Sequence, residues 1–155
     1  MIDKEHVESF KILFKEIYKG NEQATDLSFK LLEIAHTWDD MIDKDKEITD
    51  DQINNAFIMS IFEIQNNPLW FQCGLNHHVL NVFLRWRDST IMEQDENSTD
   101  DDLVKCFMLR AGIYDIFVII AYYLHGNQWA GEIGPTVRRF YGENLKEFIK
   151  EIRDA

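Results

Sequence analysis

Glu33, His36, Asp40 and Asp43 follow the spacing E-x-x-H-x-x-x-D-x-x-D. On a helix turning by about 100° per residue they fall within about 80° of one another. Carboxylates and an imidazole on one face are the groups that hold a hard divalent cation or carry a proton. The opposite face of the same stretch, residues 27–45, bears Leu27, Leu31, Ile34, Trp38, Met41 and Ile42. The packing stripe and the ligand-like stripe are therefore separate. Two more acids sit in apolar surroundings: Glu63, one turn from Met59 and Ser60, and Asp115, beside Ala111, Gly112, Val118 and Ile119. A lone charge there costs several kcal/mol, so it must be paired, coordinated or protonated. Brought inward from three helices, Asp40, Asp43, Glu63 and Asp115 form a candidate ligand set for Mg²⁺ or Mn²⁺. Glu33 or His36 then supplies a base, and Arg110 or Arg139 meets a phosphate. Each acid also has a simpler use. Asp115 can pair with Arg110 or Arg139, Glu63 can accept from Tyr114 or Tyr122, and the acids of 27–45 can be a solvated face.

The elements that must position these groups are helical. Two prolines, seven glycines and no alternating β-branched runs predict an all-α, single-domain bundle of about five main helices plus short C-terminal ones. Helix 1 is expected from about Asp3 to Lys19, with Gly20 as its left-handed stop, and helix 2 from near Asn21 through Asp43. Helix 3 starts at a capping box, Thr49 with Gln52, carries the stripe Ile53, Phe57, Ile61 and Ile64, and ends before Pro68. Helix 4 is capped by Asn76 and points Arg85 and Arg87 outward. His77 and His78 in its first turn read as surface histidines. Helix 5 begins after Ser98 or Thr99 and runs to about His125, closed by Gly126. It is apolar on every side from Ala111 onward and so central. Gly134 before Pro135 marks another helix start, and Gly142 splits the C-terminal part in two.

At 155 residues the chain can bury a core without staples. Cys73 and Cys106 make no ligand or disulfide pattern and read as reduced core residues, which points to a cytoplasmic protein. The first ten residues carry no secretory pattern, and the apolar run 111–124 is too short to span a membrane. The formal net charge is −12, and it is concentrated. Residues 39–51 hold seven acids against Lys44 and Lys46, and residues 93–102 hold six against no base. Such patches argue against direct binding of nucleic acid or an anionic membrane, where lysine and arginine neutralise phosphates. They suit a cation, mimicry of an anionic polymer, or solvated loops and helix N-termini complemented by acids.

Asp40-x-x-Asp43, then nineteen residues, then Glu63-x-x-Asn66 resembles the paired carboxylate motif of the all-α NTP pyrophosphohydrolases, the MazG and dimeric dUTPase group. The resemblance covers residues 40–66, with aspartates in place of glutamates and an amide in place of the last acid. It implies Mg²⁺ held by Asp40, Asp43 and Glu63, a triphosphate substrate and, since such enzymes are usually oligomers, a homo-oligomer. Glu33-x-x-His36 with Glu63 and Asp115 is similar to half of a ferritin-like di-iron site, and Asp39-Asp40-x-x-Asp43 matches the DDxxD of prenyl-diphosphate synthases, without the second motif either needs. Trp38 to Asp43, W-D-D-x-I-D, is similar to segments of small uncharacterised phage proteins and implies no activity.

Two expectations follow. One is a divalent-metal-dependent phosphohydrolase acting on a nucleotide or similar small-molecule phosphate ester. The other is a non-enzymatic acidic interaction or inhibitor protein that occupies a partner's nucleic-acid or nucleotide site. Inward convergence of the acids favours the first, and outward display the second.

Overall fold

The computed structural model describes residues 4–44 and 46–154. Asp3 and Asp45 lie outside the described residues. Those described are helical throughout apart from turns, with no strand among them, in one all-α bundle.

α1 (Lys4–Ile17) buries Phe10, Leu13, Phe14 and Ile17, the i, i+3, i+4, i+7 stripe of an amphipathic helix. It stops where Lys19 and Gly20 take positive φ and the Gly20 N–H reaches the Lys15 carbonyl. Two side chains from late in the chain complete that end. Trp129 Nε1 donates to the Ile17 carbonyl at 2.8 Å, and His125 Nε2 lies 3.2 Å from the Tyr18 carbonyl. α2 (Glu22–Asp43) is capped by the Asn21 side chain, which accepts from the Ala24 N–H.

α3 (Asp50–Ile58) opens on the expected Thr49/Gln52 capping box. A π-helical turn, Met59–Glu63, leads into α4 (Ile64–Asn66), and the Ile64 N–H reaches back to the Met59 carbonyl. The chain becomes extended at Asn67, before Pro68, as proline requires. α5 (Pro68–Gln72) and the left-handed Gly74 lead into α6 (Leu75–Glu93). The residue preceding α6 is Gly74, so Asn76 lies inside the helix and is not its cap.

The long fifth helix is two. α7 (Asp100–Arg110), with a Thr99/Asp102 capping box, ends at Ala111 and Gly112, and α8 (Ile113–Arg139) begins anew. α8 is itself a hairpin, because Gly126 has φ 84 and ψ 176, far from helical values. Val118 lies 3.9 Å from where a Gly134 side chain would start, and Arg138 bonds Asp115. These pairs centre on Gly126, so the limb after it folds back along the limb before it. Gly126 thus closes a helix as the sequence predicts, but Gly134 and Pro135 lie within the returning limb and start nothing. α9 (Leu145–Asp154) packs Phe148 on Leu103 and Cys106 of α7.

The main core joins α1, α2, α6 and the first limb of α8 around Phe14, Leu31 and Phe117. Cys73 and Cys106 are free and buried. Among the described residues, no helix is long and apolar enough to cross a membrane.

Candidate functional site

The acids expected to share a cation are each held by a base. On the last turns of α2, Asp39 and Asp43 face Arg110 at the end of α7. Nη2 of Arg110 donates to Asp39 Oδ1 at 2.8 Å and to Asp43 Oδ2 at 3.1 Å, and Nη1 donates to Glu93 Oε2 at 2.9 Å. The Arg110 side chain is 10% exposed and lies over the Trp86 and Phe148 rings. Trp86 Nε1 donates to Asp39 Oδ1, and Ser89 Oγ to Glu93 Oε1. Burial pushes the Asp39 carboxyl up to about 6; Arg110 and the Trp86 N–H pull the other way, and nearby Asp43 adds to the rise. Burial works to lower the Arg110 pKa as well, yet Asp39, Glu93 and Asp43 together hold it above its ordinary value. Arg110 is thus the hub of an ion-pair network between helices, not a group awaiting phosphate.

Asp115 is held from two sides. Arg85 Nη1 donates to Oδ2 at 3.1 Å, and Arg138 Nη1 donates to Oδ1. Arg85 therefore turns toward α8 and does not look outward. Ala111 and Gly112 break the helix, and a side chain at Gly112 would start 3.6 Å from Arg85 Nη1, so it is Arg85 that approaches the small residue. Glu63, in the π-helical turn, meets Lys30 of α2 at 3.1 Å, and Lys30 also holds Asp26 at 3.0 Å.

Asp40 is buried, with Lys46 Nζ 3.5 Å from Oδ1. Glu33 and Arg139 are exposed. His36 is half-buried, and its Nδ1 is buried without a hydrogen-bond partner among the described residues. Burial holds its imidazole below the ordinary value. Among the described residues, no group of three or more His, Cys, Asp and Glu side chains is arranged to hold a metal ion. The donor set thus does not fit a two-helix carboxylate site: Asp43, Glu63 and Asp115 are spread over separate ion pairs.

Two concavities emerge instead. The larger, about 430 Å³, opens between α2, α3 and α6. Its walls are Trp38, Met41, Ile53, Phe57, Val79 and Phe83, with Thr37, Ser60 and Asn76 as sparse polar points. Ile53, Phe57 and Ile64 of the expected helix 3 stripe line it. Only Ile64 of the stripe is buried, while Ile53, Phe57 and Ile61 are 36%, 65% and 57% exposed. The π-helical turn is the local reason. Its i→i+5 bonding shifts the phase of the helix, so Met59 and Ile64 turn into the core and the residues before them are left outside. Ile58, Phe62, Phe71 and Leu80 are exposed as well. Apolar residues at 53, 57, 58, 61 and 62 exceed what one buried face of a helix needs, and that excess is the sequence signal for apolar surface left exposed on this segment.

The smaller concavity, about 310 Å³, lies between α6 and α8 over Arg85, Asp115 and Arg138, and His78 and Asn81 line it too. His78 is exposed, as its position predicts, but stands at a polar pocket. Nothing local pairs Arg85 with Arg138, since the Gly126 reversal brings them together.

No protein-family model matches the chain, and no curated protein or solved structure matches it either.

Proposed function

We propose that the chain is a non-enzymatic interaction protein that seats an amphipathic helix of a basic partner in the groove between α2, α3 and α6. The observation that carries this reading is the open apolar groove, with α3 contributing apolar side chains to it and no buried residue to its own core. Large contiguous apolar surface left in water marks an interaction site, and an apolar groove between helices takes a helix through i, i+3, i+4 and i+7 anchors. Burying the exposed part of Phe57 contributes up to roughly 1.5–3 kcal/mol, and the less exposed Ile53 contributes less. Trp38, edge-on to Phe83 at 4.9 Å and to Trp86 at 5.6 Å, gives a rigid aromatic wall of the kind that forms binding hot spots.

Charge selects the occupant. Glu47, Asp50 and Asp51 are exposed at the α3 end of the groove, on a chain of net charge −12. Such a rim attracts lysine and arginine and speeds encounter with a basic partner. A second copy brings the same acids and is repelled.

The metal-dependent phosphohydrolase remains the other reading. It draws less support from this geometry because Asp43, Glu63 and Asp115 are already engaged by Arg110, Lys30, and Arg85 with Arg138.

The test is selection from a library of helical amphipathic peptides on the immobilised protein, repeated with Phe57→Asp. Enrichment of sequences with spaced aromatic or aliphatic anchors and flanking Lys or Arg, lost in Phe57→Asp and weakened by salt, supports the proposal. Enrichment of neutral or acidic peptides, or none, contradicts it. A dimer in sedimentation that Phe57→Asp dissolves would assign the groove to self-association.

A further inference from the structure

We infer that the pocket between α6 and the two limbs of α8 is a binding site for a small phosphoryl compound, gripped by Arg85 and Arg138. The inference does not depend on the reading of the apolar groove.

Three observations carry it. First, the charges do not balance: Arg85 and Arg138 share Asp115, one carboxylate between two guanidinium groups. A pocket with a positive charge to spare on a chain of −12 is a local reversal that the rest of the surface does not need. Second, the donors are not exhausted. Each arginine gives Nη1 to Asp115, and among the described residues Nε and Nη2 of both make no hydrogen bond. A guanidinium presents five N–H donors in a fixed fork, so most of each fork is free for a ligand.

Third, there is space with the right walls. The pocket of about 310 Å³ is at the low end of ligand sites, roughly 300–1,000 Å³. Asn81 and His78 stand at one side, and Ile116, Val118 and Ile119 at another. That lining suits an oxyanion head on the forks with a small organic body against the apolar wall.

A phosphoryl group fits better than a carboxylate. Its three terminal oxygens and higher charge can take several donors of both forks at once, whereas a planar carboxylate offers two oxygens, and Asp115 takes only one donor from each arginine. Asp115 then acts as an internal surrogate: it holds the forks in place and competes with the incoming anion.

That competition gives the test an unusual sign. Inorganic phosphate is titrated into the whole protein by calorimetry at constant ionic strength, with acetate as the carboxylate arm. The wild-type protein is expected to bind phosphate saturably and more tightly than acetate. Asp115→Asn is expected to tighten phosphate by about tenfold, the worth of freeing one charge-assisted bond. Arg138→Gln, at a half-exposed side chain that the core does not require, is expected to weaken phosphate several-fold, as is Arg85→Gln. The inference is overturned if neither the wild-type protein nor Asp115→Asn binds phosphate saturably. It is overturned too if Asp115→Asn weakens binding, if Arg138→Gln leaves it unchanged, or if acetate matches phosphate.

Discussion

Arg110 Nη2 lies 2.8 Å from Asp39 Oδ1 and ties α7 to α2 across 71 residues of sequence. The bond is one arm of a network in which Asp43 and Glu93 also reach the same guanidinium. Removing the cation leaves Asp39 and the 7% exposed Glu93 side chain without a counter-charge. The cost of breaking such a pair is about 3–5 kcal/mol. Arg110→Met is therefore expected to lower the urea midpoint strongly, while Arg110→Met combined with Asp39→Asn and Glu93→Gln recovers most of the loss. A single variant within about 1 kcal/mol of the parent would mean that the network behaves as a surface ion pair.

The same carboxyl sets a pH dependence. Asp39 is raised from 3.8 to about 6, so the folded state binds its proton more readily than the unfolded chain does. Its stabilising contribution is fully present below the unfolded value and is lost as pH rises through about 6. Relative to Asp39→Asn, the parent protein should therefore gain stability as the pH falls from about 6 to about 4. Urea midpoints of both proteins across that range give the difference. A flat difference, or one that shrinks on acidification, contradicts the assignment.

Local signals were enough for some helix ends and not for others, such as the α7–α8 break at Ala111 and Gly112. Thr49 with Gln52, Asn67 before Pro68, and Gly20 each act within a turn of the chain, so the sequence carries them openly. The cover on a stripe is not local. Ile53, Phe57 and Ile61 have the spacing of a buried face, yet the π-helical turn Met59–Glu63, which includes Ile61, shifts the phase of the helix, and all three are exposed. Charge partners are not local either. Arg85 and Arg87 are two residues apart on α6 and so about 200° apart around it, and only Arg85 meets Asp115, while the reversal at Gly126 brings Arg138 to the same carboxylate. The sequence does require Asp115 and Glu63 to have partners; the topology chooses them.

Cation addition tests the fate of the acids directly. A ligand that binds only the folded state raises the unfolding midpoint by mass action. With Asp43, Glu63 and Asp115 occupied by basic side chains, Mg²⁺ and Mn²⁺ at millimolar concentration and matched ionic strength are expected to leave the melting temperature where EDTA leaves it. A rise of several degrees that Glu63→Gln abolishes would restore the hydrolase reading.

The α8 hairpin depends on one residue. Gly126 holds φ 84 and ψ 176, a region open essentially to glycine alone, where a side chain costs roughly 1–3 kcal/mol. Gly126→Ala should destabilise by that amount and loosen the Arg138–Asp115 contact. Gly131 lies on the returning limb with open space around it, so Gly131→Ala should stabilise by up to about 1 kcal/mol through helix propensity. Thermal unfolding of the two variants side by side checks the contrast. Equal effects would mean that the reversal at Gly126 is not a fixed feature of the folded chain.

Tyr18 and Ser28 give a last, internal test of packing between α1 and α2. Both are fully buried, and their hydroxyls lie 2.7 Å apart. Burial drives the Tyr18 pKa far above its ordinary value, against the opposing hydrogen bond from Ser28, so the pair remains neutral and acts only as a hydrogen bond. Deleting one hydroxyl leaves the other without this partner in the core, at about 1–3 kcal/mol, whereas deleting both removes the need. Tyr18→Phe and Ser28→Ala should each destabilise, and the double variant should lose less than the two together. The coupling energy in a double-mutant cycle is the readout. Strict additivity would mean that the two hydroxyls do not depend on each other, and that the α1–α2 contact rests on its apolar side chains alone.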